Sequence, residues 1–243
     1  MDVVTVFVAA LVTALATGLG ALPLLLGRRI EHLLGLGTAI AAGFMVGASV
    51  GLFREGVGTS AARTALGAAL GVAFILVTRR VLEHRRHVEF GVLRGADALG
   101  AMMIVGVMTL HSFTEGVGVG VSFGDGAALG ALIATAIAVH NIPEGLAISL
   151  VLVPRGISVS RAAAWSVFSS LPQPLMAVPA FLLVEWFEPL LPVGLGFAGG
   201  AMAWMVAVQL LPDSLRTSRP VPVAAATLLA AGAMVGLQLV LLG

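Results

Sequence analysis

Apolar residues run along this chain in blocks of about twenty, separated by short clusters rich in Gly, Pro, Arg and Asp. About 20 predominantly apolar residues are what a helix needs to cross the hydrocarbon of a bilayer. Eight blocks meet that length, with ends defined to a few residues: about 3–26, 34–53, 61–81, 98–121, 127–152, 162–184, 191–211 and 221–242. The connectors leave no room for a soluble domain. The pattern therefore predicts an all-α polytopic membrane protein, with residues 1–243 as one integral membrane domain and 82–97 as its longest connector.

Composition agrees. Hydrophobic residues make up 59% of the 243-residue chain and charged residues 10%. Roughly 25% charged residues is usual for a soluble domain, and the mean hydropathy here is +1.08. The chain has no cysteine, which excludes disulfides and thiolate metal sites. The first segment has no basic stretch before it and exceeds a signal-peptide core in length, so it is expected to be a retained membrane helix.

A pI near 9.0 raises the question of nucleic acid. The basic residues, all arginine, are few and confined to short loops, which argues against that partner. Their distribution predicts orientation instead. Connectors after the first, third, fifth and seventh segments hold Arg28, Arg29, Arg79, Arg80, Arg85, Arg86, Arg94, Arg155, Arg161, Arg216 and Arg219, whereas the other side holds only Arg54 and Arg63. Positive residues stay in the cytoplasm. Both termini are thus expected outside, and the 82–97 loop inside. That loop reads as a basic stretch near anionic lipid; the alternative is a transient metal-receiving pair, His84 and His87.

Glycines recur at four-residue spacing (Gly43, Gly47 and Gly51; Gly67 and Gly71; Gly116 and Gly120), which lets helix backbones pack closely in lipid. "AAGFMVGASVGL" in the second segment is similar to "AGGAMAWMVAVQL" in the seventh. These segments cross in opposite senses, which fits an inverted-topology repeat; shared glycine-rich composition is the alternative.

Against this background the deep ionisable residues stand out. "HSFTEG" carries His111 and Glu115, and "HNIPEG" carries His140 and Glu144. A charge at mid-bilayer costs at least about 2.5–3.5 kcal/mol. Residues four apart share a helix face, and the short turn "SFGDGA" makes the fourth and fifth segments antiparallel neighbours. The two histidines then reach similar depth, while Glu115 and Glu144 diverge along the axis unless a helix tilts. Pro143 is expected to free the carbonyl of Val139 and kink the helix there. Two imidazoles and two carboxylates suit Zn²⁺, Fe²⁺, Co²⁺ or Mn²⁺ better than Ca²⁺ or Mg²⁺. The alternatives are a hydrogen-bonded helix clamp or a proton relay without metal.

At these motifs the chain resembles the ZIP family of divalent metal transporters. The resemblance extends over essentially the whole chain. It implies a metal position on His111, Glu115, His140 and Glu144, and in some relatives a second metal bridged by the two glutamates. The further ligands would map to Ser112, Asn141 and Gln173. Many relatives carry a glutamate at the last of these, and an asparagine or aspartate where Ser112 stands. With those three neutral, one strongly bound metal is expected, with Gln173 and Asn141 as neutral partners. A competing role for Gln173 is to satisfy backbone freed around Pro172 and Pro174.

The resemblance further implies an inverted repeat, segments one to three and six to eight, around a central pair, four and five. Segments one, four, five and six would slide as a unit against the rest, and a homodimer is compatible with it. The expected function is zinc uptake across the plasma membrane by alternating access, without enzymatic activity or prosthetic group. The rivals are a membrane-embedded zinc hydrolase, whose H-E-x-x-H signature is missing, and a metal-binding membrane protein without flux. Glu55, Gln209 and Asp213 would lie at the mouths of the pathway, either guiding metal or as solvated helix ends.

Overall fold

The structure, a computed structural model, describes residues 1–26, 31–83, 95–186 and 188–242. Within them the chain is helical throughout and contains no strand. His84, His87, Arg28, Arg29, Arg85, Arg86 and Arg94, with most of the 82–97 connector, lie outside the described residues.

Helix α1 (Val3–Leu19) starts where Asp2 accepts a hydrogen bond from the Thr5 amide at 2.7 Å, which satisfies one of the free donors at a helix start. Its exposed stripe is Val4, Val8, Val12, Leu15 and Leu19, while Val6, Ala10, Thr13, Ala14 and Thr17 are buried. Large apolar groups face outward and small or hydroxyl groups inward, the reverse of a soluble amphipathic helix and the arrangement that lipid favours. Helix α9 (Pro220–Leu242) likewise turns Leu228, Leu229 and Val240 outward, with Ala230, Met234 and Gln238 inward.

Helix α2 (Glu31–Glu83) comprises two helices that meet across a kink at Ser60, so the second and third blocks are separate helices, as the sequence predicts. Ser60 leaves helical geometry at φ −161° and ψ 103°. That is the extended backbone of an N-cap, a position serine favours. Helix α3 (Gly95–Gly124) turns through Asp125 and Gly126, whose φ of 139° suits glycine, into α4 (Ala127–Leu152). The sixth block is broken: α5 (Val159–Ser170) and α6 (Pro172–Trp186) meet at Leu171, whose amide turns back to Phe168. Pro172 and Pro174 lack amide hydrogens, so the α-helical ladder cannot run through them. Helix α7 (Leu191–Met205) reaches α8 (Leu211–Thr217) through a π turn, Val206–Leu210. There the Leu211 amide bonds Val206, one residue beyond α spacing, just before Pro212.

Six stretches of the described residues are long and apolar enough to cross a membrane: Val3–Leu25, Gly35–Val77, Ala127–Arg155, Val159–Trp186, Leu191–Thr217 and Pro220–Val240. Gly35–Val77 is 43 residues long, about twice the roughly 20 residues that one pass needs, and it is interrupted at Ser60, where two helices meet across a kink. The chain is a multi-pass membrane protein.

Candidate metal centre

Helices α3 and α4 bring His111, Glu115, His140 and Glu144 together in the interior, all essentially inaccessible to solvent. One donor atom from each lies within 4.8 Å of all the others. The expected divergence of the glutamates is resolved by crossing over. Glu115 Oε1 is in direct contact with His140 Nε2 on the other helix, and 3.1 Å from His111 Nε2 on its own. Glu144 Oε1 is 3.0 Å from His111 Nε2 and 3.9 Å from His140 Nε2. Each glutamate therefore lies nearer the histidine of the neighbouring helix.

His111 Nε2 and Glu144 Oε1 are close, yet among the described residues neither has a hydrogen-bonding partner of acceptable geometry. A tetrahedral zinc ion with ligands at about 2.0–2.2 Å holds them roughly 3.3–3.6 Å apart, and the 3.0–3.9 Å contacts bracket that range. The donor set of two imidazoles and two carboxylates also balances a divalent charge, which offsets burial of two anions.

The final glycine of each motif has a mechanical role. A β-carbon on Gly116 would lie 2.5 Å from the carbonyl oxygen of Gln173, and one on Gly145 would lie 1.7 Å from that of Thr17. The start of α6 thus rests against α3, and α1 against α4, at the level of the cluster. Helix α4 remains helical through Pro143.

Of the other sequence candidates, Asn141 and Gln173 are buried in one network beside the cluster. Asn141 Nδ2 donates to the backbone carbonyl of Thr13 at 2.7 Å and to Gln173 Oε1 at 3.1 Å; Gln173 Nε2 donates to Glu115 Oε2 at 2.6 Å. The Gln173 amide thus bonds side chains rather than backbone freed by the prolines. Ser112 is buried next to His111. Thr13, which the sequence reading passed over, has its hydroxyl 2.5 Å from Gln173 Oε1 and 2.6 Å from the Ala10 carbonyl. Four residues on, Thr17 pairs with Ser170 at 2.7 Å. Hydroxyls at four-residue spacing in an otherwise apolar first segment were the available signal.

Away from the centre, partial burial and then the nearby Glu55 raise the Asp125 carboxyl above its ordinary range. Asp213 pairs with Arg216 at 3.1 Å on an exposed helix end.

A multi-pass helical protein with a buried, convergent histidine–glutamate cluster belongs to the class of membrane proteins that handle metal ions. The chain is a member of the ZIP zinc transporter family, whose model matches residues 82–242; proteins of this family are transporters, not enzymes. It is 43% identical over 241 residues to a provisionally named zinc transporter of Arabidopsis thaliana, covering 98% of this chain and 39% of that protein. It is 36% identical over 231 residues to the zinc transporter GufA of Myxococcus xanthus, covering 86% of this chain and 88% of that one. The human zinc transporter ZIP11 is 33% identical over 127 residues, which are 47% of this chain and 35% of ZIP11. The chain therefore spans about two fifths of the Arabidopsis relative and most of GufA.

Proposed function

We propose that this chain carries a divalent metal ion, zinc, across the plasma membrane into the cytoplasm, with His111, Glu115, His140 and Glu144 as the ligands in transit. The observation that carries the reading is the convergence of those four donor atoms within 4.8 Å in a fully buried position. Family membership and the zinc transporters among the relatives support the substrate. Metal binds only the deprotonated ligands, so protonation or competition at the cytoplasmic face would release it.

Eight passes are supported by the six apolar stretches, one of which is twice the needed length, together with the 30-residue α3. The inverted repeat is supported by matched pairings. The first half of α2 packs its glycines on α9 and the second half packs on α7, while α1 meets α4 and α6 meets α3. Exchanging segments one to three with six to eight, and four with five, maps each contact onto its counterpart.

Two sliding bodies are supported by where backbones touch. A β-carbon on Gly67, Gly71 or Gly200 would fall within 2.0–2.6 Å of backbone on the facing helix, joining α2 to α7. Gly43 does the same between α2 and α9, Gly20 and Gly145 between α1 and α4, and Gly116 and Gly120 between α3 and α6. Between the body α1, α3–α6 and the body α2, α7–α9, Gly118 meets only the methyl of Ala198, and Gly194 only the side chain of Val121. Backbone-to-backbone seams lock; side-chain seams can slide, since packed helices shear by small rotamer adjustments. Purified chain in liposomes with a zinc-sensitive dye inside tests the function. Saturable uptake that Glu144→Ala abolishes is expected; zinc binding without flux under any gradient or pH would overturn it.

A further inference from the structure

The amide of Gln173 can face the cluster in only one way. The Thr13 backbone carbonyl only accepts, so Asn141 must turn its amino group toward it, at 2.7 Å. The same nitrogen reaches Gln173 Oε1 at 3.1 Å. Gln173 then shows its oxygen to Asn141 and its amino group to Glu115 Oε2, at 2.6 Å. The two oxygens of Glu115 are thereby divided. Oε1 faces both histidines, and Oε2 is held by the amide.

We propose that Gln173, oriented by this relay, limits the site to one divalent ion. The inference rests on the reading of the cluster as a metal site. A carboxylate that bridges two cations through both of its oxygens gives one to each, and here the second oxygen already accepts an N–H. An N–H offers no lone pair and presents the positive end of its dipole, so a cation cannot share that position. The Gln173 oxygen, the one atom of the side chain that could ligate, is turned toward Asn141 and Thr13. Asn141 Oδ1 is buried without a partner, but one neutral acceptor does not compensate a second divalent charge in a buried position. Two ions would bring four positive charges against two carboxylates. Gln173→Glu removes the donor, adds a lone pair on the Glu115 side and adds one negative charge, which supplies what a second ion lacks.

The test is a zinc count. Purified full-length chain in detergent is saturated with zinc, passed through gel filtration, and analysed for zinc per chain; X-ray absorption then reads metal–metal scattering. The expected result is one zinc and no metal–metal scattering in the natural protein, and two zincs with such scattering in Gln173→Glu. Two zincs in the natural protein overturn the proposal, as does a folded, zinc-loaded Gln173→Glu that still holds one. If that variant does not fold, the spectrum and count of the natural protein decide alone. No bound zinc at all would remove the metal-site reading itself, an outcome distinct from a count of two.

Discussion

Glu115 meets the histidine of the neighbouring helix, its own histidine and the Gln173 amide, so three helices converge on one carboxylate. Its replacement by Gln keeps the size and removes the charge. Zinc affinity, measured by isothermal titration, is expected to fall at least 100-fold, because changes even outside the ligand set cost about 10–100-fold. Asn141→Leu breaks the relay without touching a histidine or glutamate, and a 10–100-fold loss is expected. Thr13→Val keeps the backbone carbonyl that Asn141 uses, so its effect should stay under tenfold. An equal loss in both would mean that the Thr13 hydroxyl, not its carbonyl, holds the network. The cluster of His111, Glu115, His140 and Glu144 was legible because deep ionisable residues at four-residue spacing are costly unless neutralised. The orientation of Gln173 and the role of Thr13 were not, since both depend on how α1 and α6 are rotated toward the site.

Among the elements, the two motif glycines place α1 and α6 in backbone contact with the helices that carry the histidine–glutamate cluster. Gly145→Ala would force its methyl against the Thr17 carbonyl, and Gly116→Ala against that of Gln173. Overpacking of this kind costs about 1–3 kcal/mol. A lower midpoint of thermal unfolding in detergent is expected for both. Gly232→Ala, where nothing lies within 4 Å, should leave the midpoint unchanged. Segment positions were readable from block length, but the interruptions were harder. The sequence separated the second and third blocks at 54–60, and the structure has two helices that meet across a kink at Ser60. It ran the sixth block through Pro172, where the structure divides α5 from α6. Closely spaced prolines remove two donors from the helical ladder there, which hydropathy does not register. Nor did residue spacing settle how Glu115 and Glu144 meet, because the axial offset of α3 against α4 decides it.

For the whole molecule, the proposed transport requires one body to move past the other. The natural absence of cysteine makes that testable with introduced pairs. A β-carbon at Gly194 would stand 3.4 Å from that of Val121, across the two bodies, and one at Gly124 3.6 Å from that of Val184, within one body. The β-carbons of a disulfide lie about 3.5–4.5 Å apart; the second spacing falls inside that range and the first about 0.1 Å below it, so both pairs are within reach of a bridge. Oxidising the Gly194→Cys, Val121→Cys pair is expected to stop zinc uptake until reductant is added. The Gly124→Cys, Val184→Cys pair should transport within twofold of its reduced form. Inhibition by the second pair and not the first would mean that the moving boundary lies elsewhere. The boundary could not be read in the sequence, where glycines of both kinds of seam look alike; it depends on whether backbone or side chain lies opposite.

The claim beneath all of this is that the buried cluster holds the transported ion. X-ray absorption at the zinc edge on the loaded protein reads it directly. Two imidazole ligands with carboxylate oxygen are expected, and the loss of one imidazole in His140→Ala. A zinc shell unchanged by substitution of either His111 or His140 would contradict it.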